Sequence, residues 1–311
     1  MEQNPQNFDR LASAVESLVK QERWTRRFAN FLKLAIAAYV VFFIYLAIDN
    51  MGAKELDGLN MKEHVAIVKL EGAIMPNSKV SAETLNPLLN KAFANPSSQA
   101  VVIQANSPGG SPVQSALIND EIVRLKTKYN KPVYVVVEDV CASGCYYIAV
   151  AADKIYANKG SMIGSIGVRM DSFGFTGLME KIGVENRSMH AGEYKTFINP
   201  FAPVNEEGRK FFQERILERT HQQFIETVRA GRGDRIKETE LTYTGLVWLG
   251  DEAVENGMID GLADVGGVLR DVIGITDNRV YESDKSLMEE LMGDISSETA
   301  AKLSLYFTTL Q

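Results

Sequence analysis

The chain has 311 residues, 45% of them apolar, with 33 Lys and Arg against 40 Asp and Glu and a formal net charge of −7. This is enough apolar material for one large or two modest domains without disulfide or metal staples. The acidic balance, with no Lys/Arg-rich block outside the N-terminal region, argues against a nucleic-acid partner.

The first predicted element spans residues 28–49. Leu34 to Ile48 (LAIAAYVVFFIYLAI) carries no charge, and Phe28 to Lys33 extend it to the length a bilayer core requires. Lys33 can snorkel toward headgroups. Residues 1–27 are polar and helix-prone, and no small-residue cleavage site follows the span, which favours a retained anchor over a removed signal peptide. Lys20, Arg23, Arg26 and Arg27 precede it, whereas only Lys54 and Lys62 follow closely. The positive-inside rule then places 1–27 in the cytoplasm and the rest on the periplasmic or extracytoplasmic side of a bacterial inner membrane.

After a polar linker, 50–62, strands and helices alternate. HVAIVKL is a strand, SAETLNPLLNKAFA a helix and AVVIQA a continuous apolar strand. A helix over 111–129 starts with Ser111 as N-cap and Pro112 in the first turn, both favoured there. PVYVVVE is another buried strand. Short apolar strands alternating with helices predict an α/β domain, 63–275, with a mainly parallel sheet covered on both faces. A further helix runs from Asn205, its cap, to Gly231, with Phe212, Ile216, Phe224 and Val228 near one face and His221 as a helix-packing or surface residue rather than a catalyst. The C-terminal extension, 276–311, has a weaker pattern and reads as a helical extension or a mobile segment; its apolar end, LSLYFTTLQ, is a candidate occupant of the chain's own active-site groove.

The stretch VCASGCYYIA, 140–149, opens where PVYVVVE ends. Ser143 there fits two readings: a helix N-cap, or a nucleophile at the carboxyl end of a strand, facing the first helical N–H groups. The G-x-S-x-G elbow is absent, because Cys141 and Cys145 stand where its glycines would be. A serine nucleophile needs a base. His190, in NRSMHAGEYKTF, is one candidate. Lys195, in GEYKTFINPF, is the other, having the most apolar company of any loop lysine. A lysine base must be largely neutral, so a pKa of ~10.4 has to fall, and burial among apolar groups is the natural means. In VVIQANSPGGSPV, Gly109 and Gly110 read either as a turn before a helix or as backbone that approaches a ligand and donates N–H groups to an oxyanion, with Gly144 as partner donor. Cys141 and Cys145 are expected as two buried free thiols, a disulfide being the alternative. His64, His190 and His221 show no zinc-ligand spacing, so neither metal nor cofactor is implied.

These pieces together resemble the signal peptide peptidase A family of membrane-anchored serine proteases. The matches occur in family order: LEGAI, NSPGGSP, ASGCYYIA, IGSIGV, GEYKTFINPF and GMIDGLADVGG, covering roughly residues 63 to 270. The resemblance implies a ClpP/crotonase-like fold of repeated β-β-α units. It implies Ser143 as nucleophile, Lys195 as general base, Gly109, Gly110 and Gly144 as oxyanion-hole donors, and Ser165 as a residue that orients the lysine. Cys145 departs from the family's usual glycine. The chain carries one copy of the catalytic segment, which implies a homo-oligomer whose sites are shared between neighbouring protomers. Hydrophobic peptides such as signal-peptide remnants are the implied substrates. The alternatives are a Ser/His hydrolase using His190, a non-catalytic membrane scaffold, and a crotonase-type acyl-CoA enzyme, for which the Ser/Lys pair has no use.

Overall fold

The computed structural model describes residues 24, 30–42 and 62–282, and the chain divides into two compact units, 1–61 and 62–311. In the first unit, residues 30–42 form a helix with every residue exposed, including Phe31, Leu34, Tyr39 and Val41. No helix among the described residues is long and apolar enough to cross a membrane. Residues 28, 29 and 43–49 of the expected span lie outside the described residues, as do nearly all of 1–27 and the C-terminal stretch LSLYFTTLQ.

The second unit is a mixed α/β fold on one sheet. Its strands are β1 (His64–Glu71), β2 (Ser98–Ser107), β3 (Val133–Ala142), β4 (Lys154–Ala157), β5 (Met162–Gly164), β6 (Val247–Leu249), β7 (Gly261–Leu262) and β8 (Asn278–Tyr281). The order is β6-β5-β3-β2-β1-β8, with β4 pairing both β3 and β7. All pairs are parallel except β5 with β6. Parallel neighbours need crossovers, and α1 (Ala82–Ala94) and α2 (Pro112–Tyr129) supply them between β1, β2 and β3. Both helices start on a serine whose side chain accepts an N–H of the first turn: Ser81 from Thr84, and Ser111 from Gln114.

Alternate strand residues explain the two covered faces. Val68, Leu70, Val101, Ile103, Val135 and Val137 belong to one apolar cluster with Leu89, Phe93, Ile122 and Leu125 of α1 and α2. Val65, Ile67, Val102 and Val136 point the other way, to Val268 and Leu269. The expected domain end at 275 falls short: β8 is an edge strand in register with Val65–Val68, and Asn95 Nδ2 donates to Tyr281 Oη at 2.9 Å.

Beyond β3 come α3 (Gly144–Ala149), α4 (Thr176–Ile182), α5 (Glu206–Phe212) and α6 (Glu218–Arg232), the last two joined by a π-turn at Gln213–Leu217. Asn205 caps α5 as expected, its Oδ1 accepting the Gly208 N–H at 2.8 Å. The predicted apolar stripe divides, however. Phe224 and Val228 are buried, whereas Ile216 is 45% exposed, because only α6 lies on the core. Between Arg169 and Glu207 no residue is buried at all.

The end of α6 is moored by a part-buried ion pair. Arg232, 1% exposed, donates to Asp260 Oδ2 at 2.8 Å and to the Gly257 carbonyl, while Asp260 Oδ2 also accepts the Ile155 N–H of β4 at 2.7 Å. Burial pushes the Asp260 carboxyl up, but the Arg232 and Ile155 donors and the charges of Arg232 and Arg235 outweigh it and hold it below the usual carboxylate value. A depressed carboxylate contributes stability that is present above the ordinary ~3.9 and lost as pH falls through the lowered value. Arg232→Ala leaves the part-buried Asp260 with Arg235, at 3.2 Å, as its remaining ion-pair partner, and is expected to cost ~1.5–3 kcal/mol at neutral pH. Denaturant titration checks this, and the deficit should shrink in acid, where Asp260 protonates.

Candidate active site

At the junction of β3 and α3 the backbone turns sharply. Ser143 has φ 53° and ψ −121°, a sparsely populated conformation for any residue but glycine. It is held by its own N–H on the Gly164 carbonyl at 2.7 Å and by the Tyr147 N–H on its carbonyl at 3.0 Å. The side chain makes no cap hydrogen bond to α3, which it precedes. Ser143 lines a groove of about 1120 Å³.

The glycine loop reaches this turn by backbone contact. A Cβ on Gly109 would lie 2.6 Å from the Ala142 carbonyl oxygen and 2.7 Å from the Gly144 nitrogen, so no side chain fits between the strands' ends. A Cβ on Gly110 would lie 2.0 Å from the Ile74 carbonyl oxygen. Ile74, from LEGAI, clamps the loop: its N–H donates to Gly109, and its carbonyl accepts from Ser111 at 2.8 Å. Gly144 is crowded by the Ser115 Oγ, 2.4 Å from where its Cβ would be, and the Gly110 nitrogen lies 3.2 Å from the same point.

The three expected donors are not equivalent. The Gly109 N–H donates to the buried Ser107 Oγ at 3.1 Å, and is therefore committed inside the protein. Among the described residues neither the Gly110 nor the Gly144 N–H has a hydrogen-bond acceptor, and the two glycines line the groove beside Ser143. Such a pair can receive an oxyanion that forms on a carbonyl attacked by Ser143. The walls are mixed, with Val113 and Leu117 of α2, Val168 and Tyr147 beside Arg169, Thr220, Gln223 and Thr244. Ser165, also in the groove, has φ 51° and donates its N–H to the Leu246 carbonyl at 2.8 Å.

Neither candidate base lines this groove. Lys195 stands exposed in a run of turns. Its expected apolar surroundings are not formed in one chain, because its aromatic neighbours pack elsewhere: Tyr194 stacks on Phe211 at 6.2 Å and Phe197 packs tilted against Phe212 at 5.9 Å. His190 is also exposed, its Nε2 lying 3.5 Å from Thr196 Oγ1. His221 is a packing residue, with Nε2 donating to the Ile166 carbonyl at 3.1 Å. No group of three or more His, Cys, Asp or Glu among the described residues is placed to hold a metal ion.

The cysteines correct the expectation of free thiols: Cys141 and Cys145 are joined in a disulfide. The tight turn through Ser143 brings their Cα atoms to 5.1 Å, within the span of a disulfide. Two contributors escaped the sequence reading. Ser107, which fixes the Gly109 amide, sits in the NSPGGSP segment; Ser115, which packs on Gly144, is one helical turn past the Ser111 cap, and its Oγ donates to the Ser111 carbonyl at 3.0 Å.

A family model described as Peptidase family S49 matches residues 126–273. Over 219 residues the chain is 42% identical to a Brucella abortus protein named Na(+)/H(+) antiporter NhaA, covering 69% of this chain and 30% of that one. It is 32% identical over 209 residues to Protease 4 of Haemophilus influenzae, covering 66% of this chain and 34% of that protein. With the chloroplastic serine protease SPPA of Arabidopsis thaliana the identity is 31% over 218 residues, covering 67% and 31%. The chain thus spans about a third of the length of these relatives.

With both sulfurs bonded and buried, titration of the native protein with a chromogenic disulfide reagent is expected to find no free thiol. Denaturation with a reductant should release two per chain. One or two thiols in the unreduced native protein would contradict the bond.

Proposed function

We propose that this chain, which carries a domain of Peptidase family S49, is a membrane-anchored serine endopeptidase in which Ser143 is the nucleophile and Lys195 of a neighbouring copy is the base. The observation that carries this reading is the hydroxyl of Ser143 on a positive-φ turn, beside the uncommitted N–H groups of Gly110 and Gly144. A helix cap needs none of that arrangement.

In this reading, Ser143 Oγ attacks the scissile carbonyl while its proton passes to a neutral lysine amine. The oxyanion is received by Gly110 and Gly144, with Gly109 holding the loop in place through Ser107 rather than donating. The lysine returns the proton to the leaving amine, and water, deprotonated by the same amine, releases the acyl group. Ser165, on the groove rim, is suited to orient that amine.

The exposure of Lys195 favours a site completed between copies of the chain. Its segment presents apolar side chains to solvent, with Phe173 at 73%, Met189 at 98% and Val204 at 67% exposure, a surface that a second copy would cover. Covering it would also exclude water from the lysine and keep it neutral. Val113, Leu117 and Val168 give the groove apolar contacts for hydrophobic peptides, signal-peptide remnants among them, and the 28–49 span would hold the domain at the outer face of a bacterial inner membrane. The fold assigned is ClpP/crotonase-like.

Detergent-purified full-length protein is expected to cleave a fluorogenic apolar peptide, with Ser143→Ala and Lys195→Ala each lowering kcat/KM by at least ~10³-fold. The wild-type rate should rise with pH through a midpoint below the ~10.4 of a free lysine. Activity retained in Lys195→Ala but lost in His190→Ala would transfer the base to the histidine.

A further inference from the structure

We propose that the Cys141–Cys145 disulfide is a positioning element for the nucleophile turn, fixing Ser143 and the Gly144 N–H relative to each other. The inference rests on Ser143 being the nucleophile. It concerns two residues that touch neither substrate nor the reacting atoms.

Cys141 is a fixed point. It stands in the ladder between Ser107 of β2 and Ile163 of β5, and is fully buried. Cys145, 1% exposed, lies in the first turn of α3, a helix of only six residues, Gly144–Ala149. So short a helix does not set its own direction, since its nucleation is unfavourable without outside support. The sulfur bridge ties its first turn to the last rungs of β3, across Ala142, Ser143 and Gly144.

Those bridged residues are the ones with most freedom to lose. Ser143 occupies a conformation that persists only where the surroundings over-determine it. The Gly144 N–H donates to nothing among the described residues, so no internal hydrogen bond fixes its aim. Packing restrains Gly144 on the Ser115 side, and the cystine restrains it from within the turn. Bonded and buried, neither sulfur competes with the Ser143 hydroxyl as a nucleophile.

The test uses the assembled full-length protein carrying Cys141→Ala/Cys145→Ala. It follows hydrogen–deuterium exchange of peptides covering 140–150 and the kcat and KM for an apolar fluorogenic peptide. The hydrogen-bonded amides of Ser143 and Tyr147 are expected to exchange at least ~10-fold faster while β1 and β2 stay protected, and kcat is expected to fall at least ~10-fold with KM within ~2-fold. Unchanged exchange at 143–147 overturns the proposal, whatever the turnover. Faster exchange with unchanged kcat also overturns it, leaving the bond a stabiliser only. Should the double variant not fold, wild-type protein opened by mild denaturant and reduced with dithiothreitol replaces it. There the S–S bond takes two electrons and two protons to give two thiols, and dithiothreitol becomes its cyclic disulfide. A wild type that cleaves no peptide, with exchange at 143–147 still dependent on the bond, refutes the protease reading but not the restraint on the turn.

Discussion

The candidate site depends on one close approach, that of the Gly109–Gly110 loop to the backbone of Ala142–Gly144. A Cβ on Gly109 would meet the Ala142 carbonyl oxygen and the Gly144 nitrogen, so there the two segments meet main chain to main chain, while Gly110 is packed on the Ile74 backbone and Gly144 on the Ser115 hydroxyl. This contact puts two amide donors beside one hydroxyl. Each neighbour then serves to keep it: Ile74 clamps the loop from β1's side, Ser107 takes the Gly109 amide, Ser115 fills the space behind Gly144, and β5 receives the Ser143 N–H. The parallel sheet places all of this at the carboxyl ends of β2 and β3, where an open α/β sheet binds ligands.

The rest of the second unit differs in character. The sheet with α1, α2 and α6 has a close-packed core, whereas Arg169 to Glu207 has no buried residue. That segment carries Lys195 and a set of exposed apolar side chains. Under the proposed function, Ser143 sits in the close-packed part and Lys195 on the unburied part, and one copy of the chain does not bring the two together. An assembly would supply the missing enclosure, and with it the desolvation that a lysine base requires.

Much of the fold was legible because local rules coincide there. Ser111 and Pro112 mark the start of α2, and the continuous apolar runs of β1 to β3 mark a sheet covered on both faces. β8 was missed because Asn-Arg-Val-Tyr has neither length nor alternation; only its pairing with β1 makes it a strand. Phe212, Ile216, Phe224 and Val228 read as lying near one face of a helix, yet periodicity carries no information about how far the sheet extends beneath it. At the site, residue types pointed to Ser143 and the glycines, but the direction of single N–H groups is a tertiary property. Gly109 and Gly110 are identical in sequence, and a neighbouring serine hydroxyl separates their roles. The disulfide was equally hidden, since the spacing of Cys141 and Cys145 becomes a bond only through the positive φ of Ser143.

The most direct test of a Ser/Lys site shared between copies is subunit mixing. Full-length Ser143→Ala and Lys195→Ala chains, each inactive alone, would be dissociated together, reassembled at equal amounts and assayed on an apolar peptide. A head-to-tail assembly pairs an intact serine with an intact neighbouring lysine at one site in four, so the mixture should recover about a quarter of the wild-type rate. No recovery, in mixtures shown by mass spectrometry to contain both chains in one oligomer, would contradict the shared site. Activity in either variant alone would contradict the dyad itself.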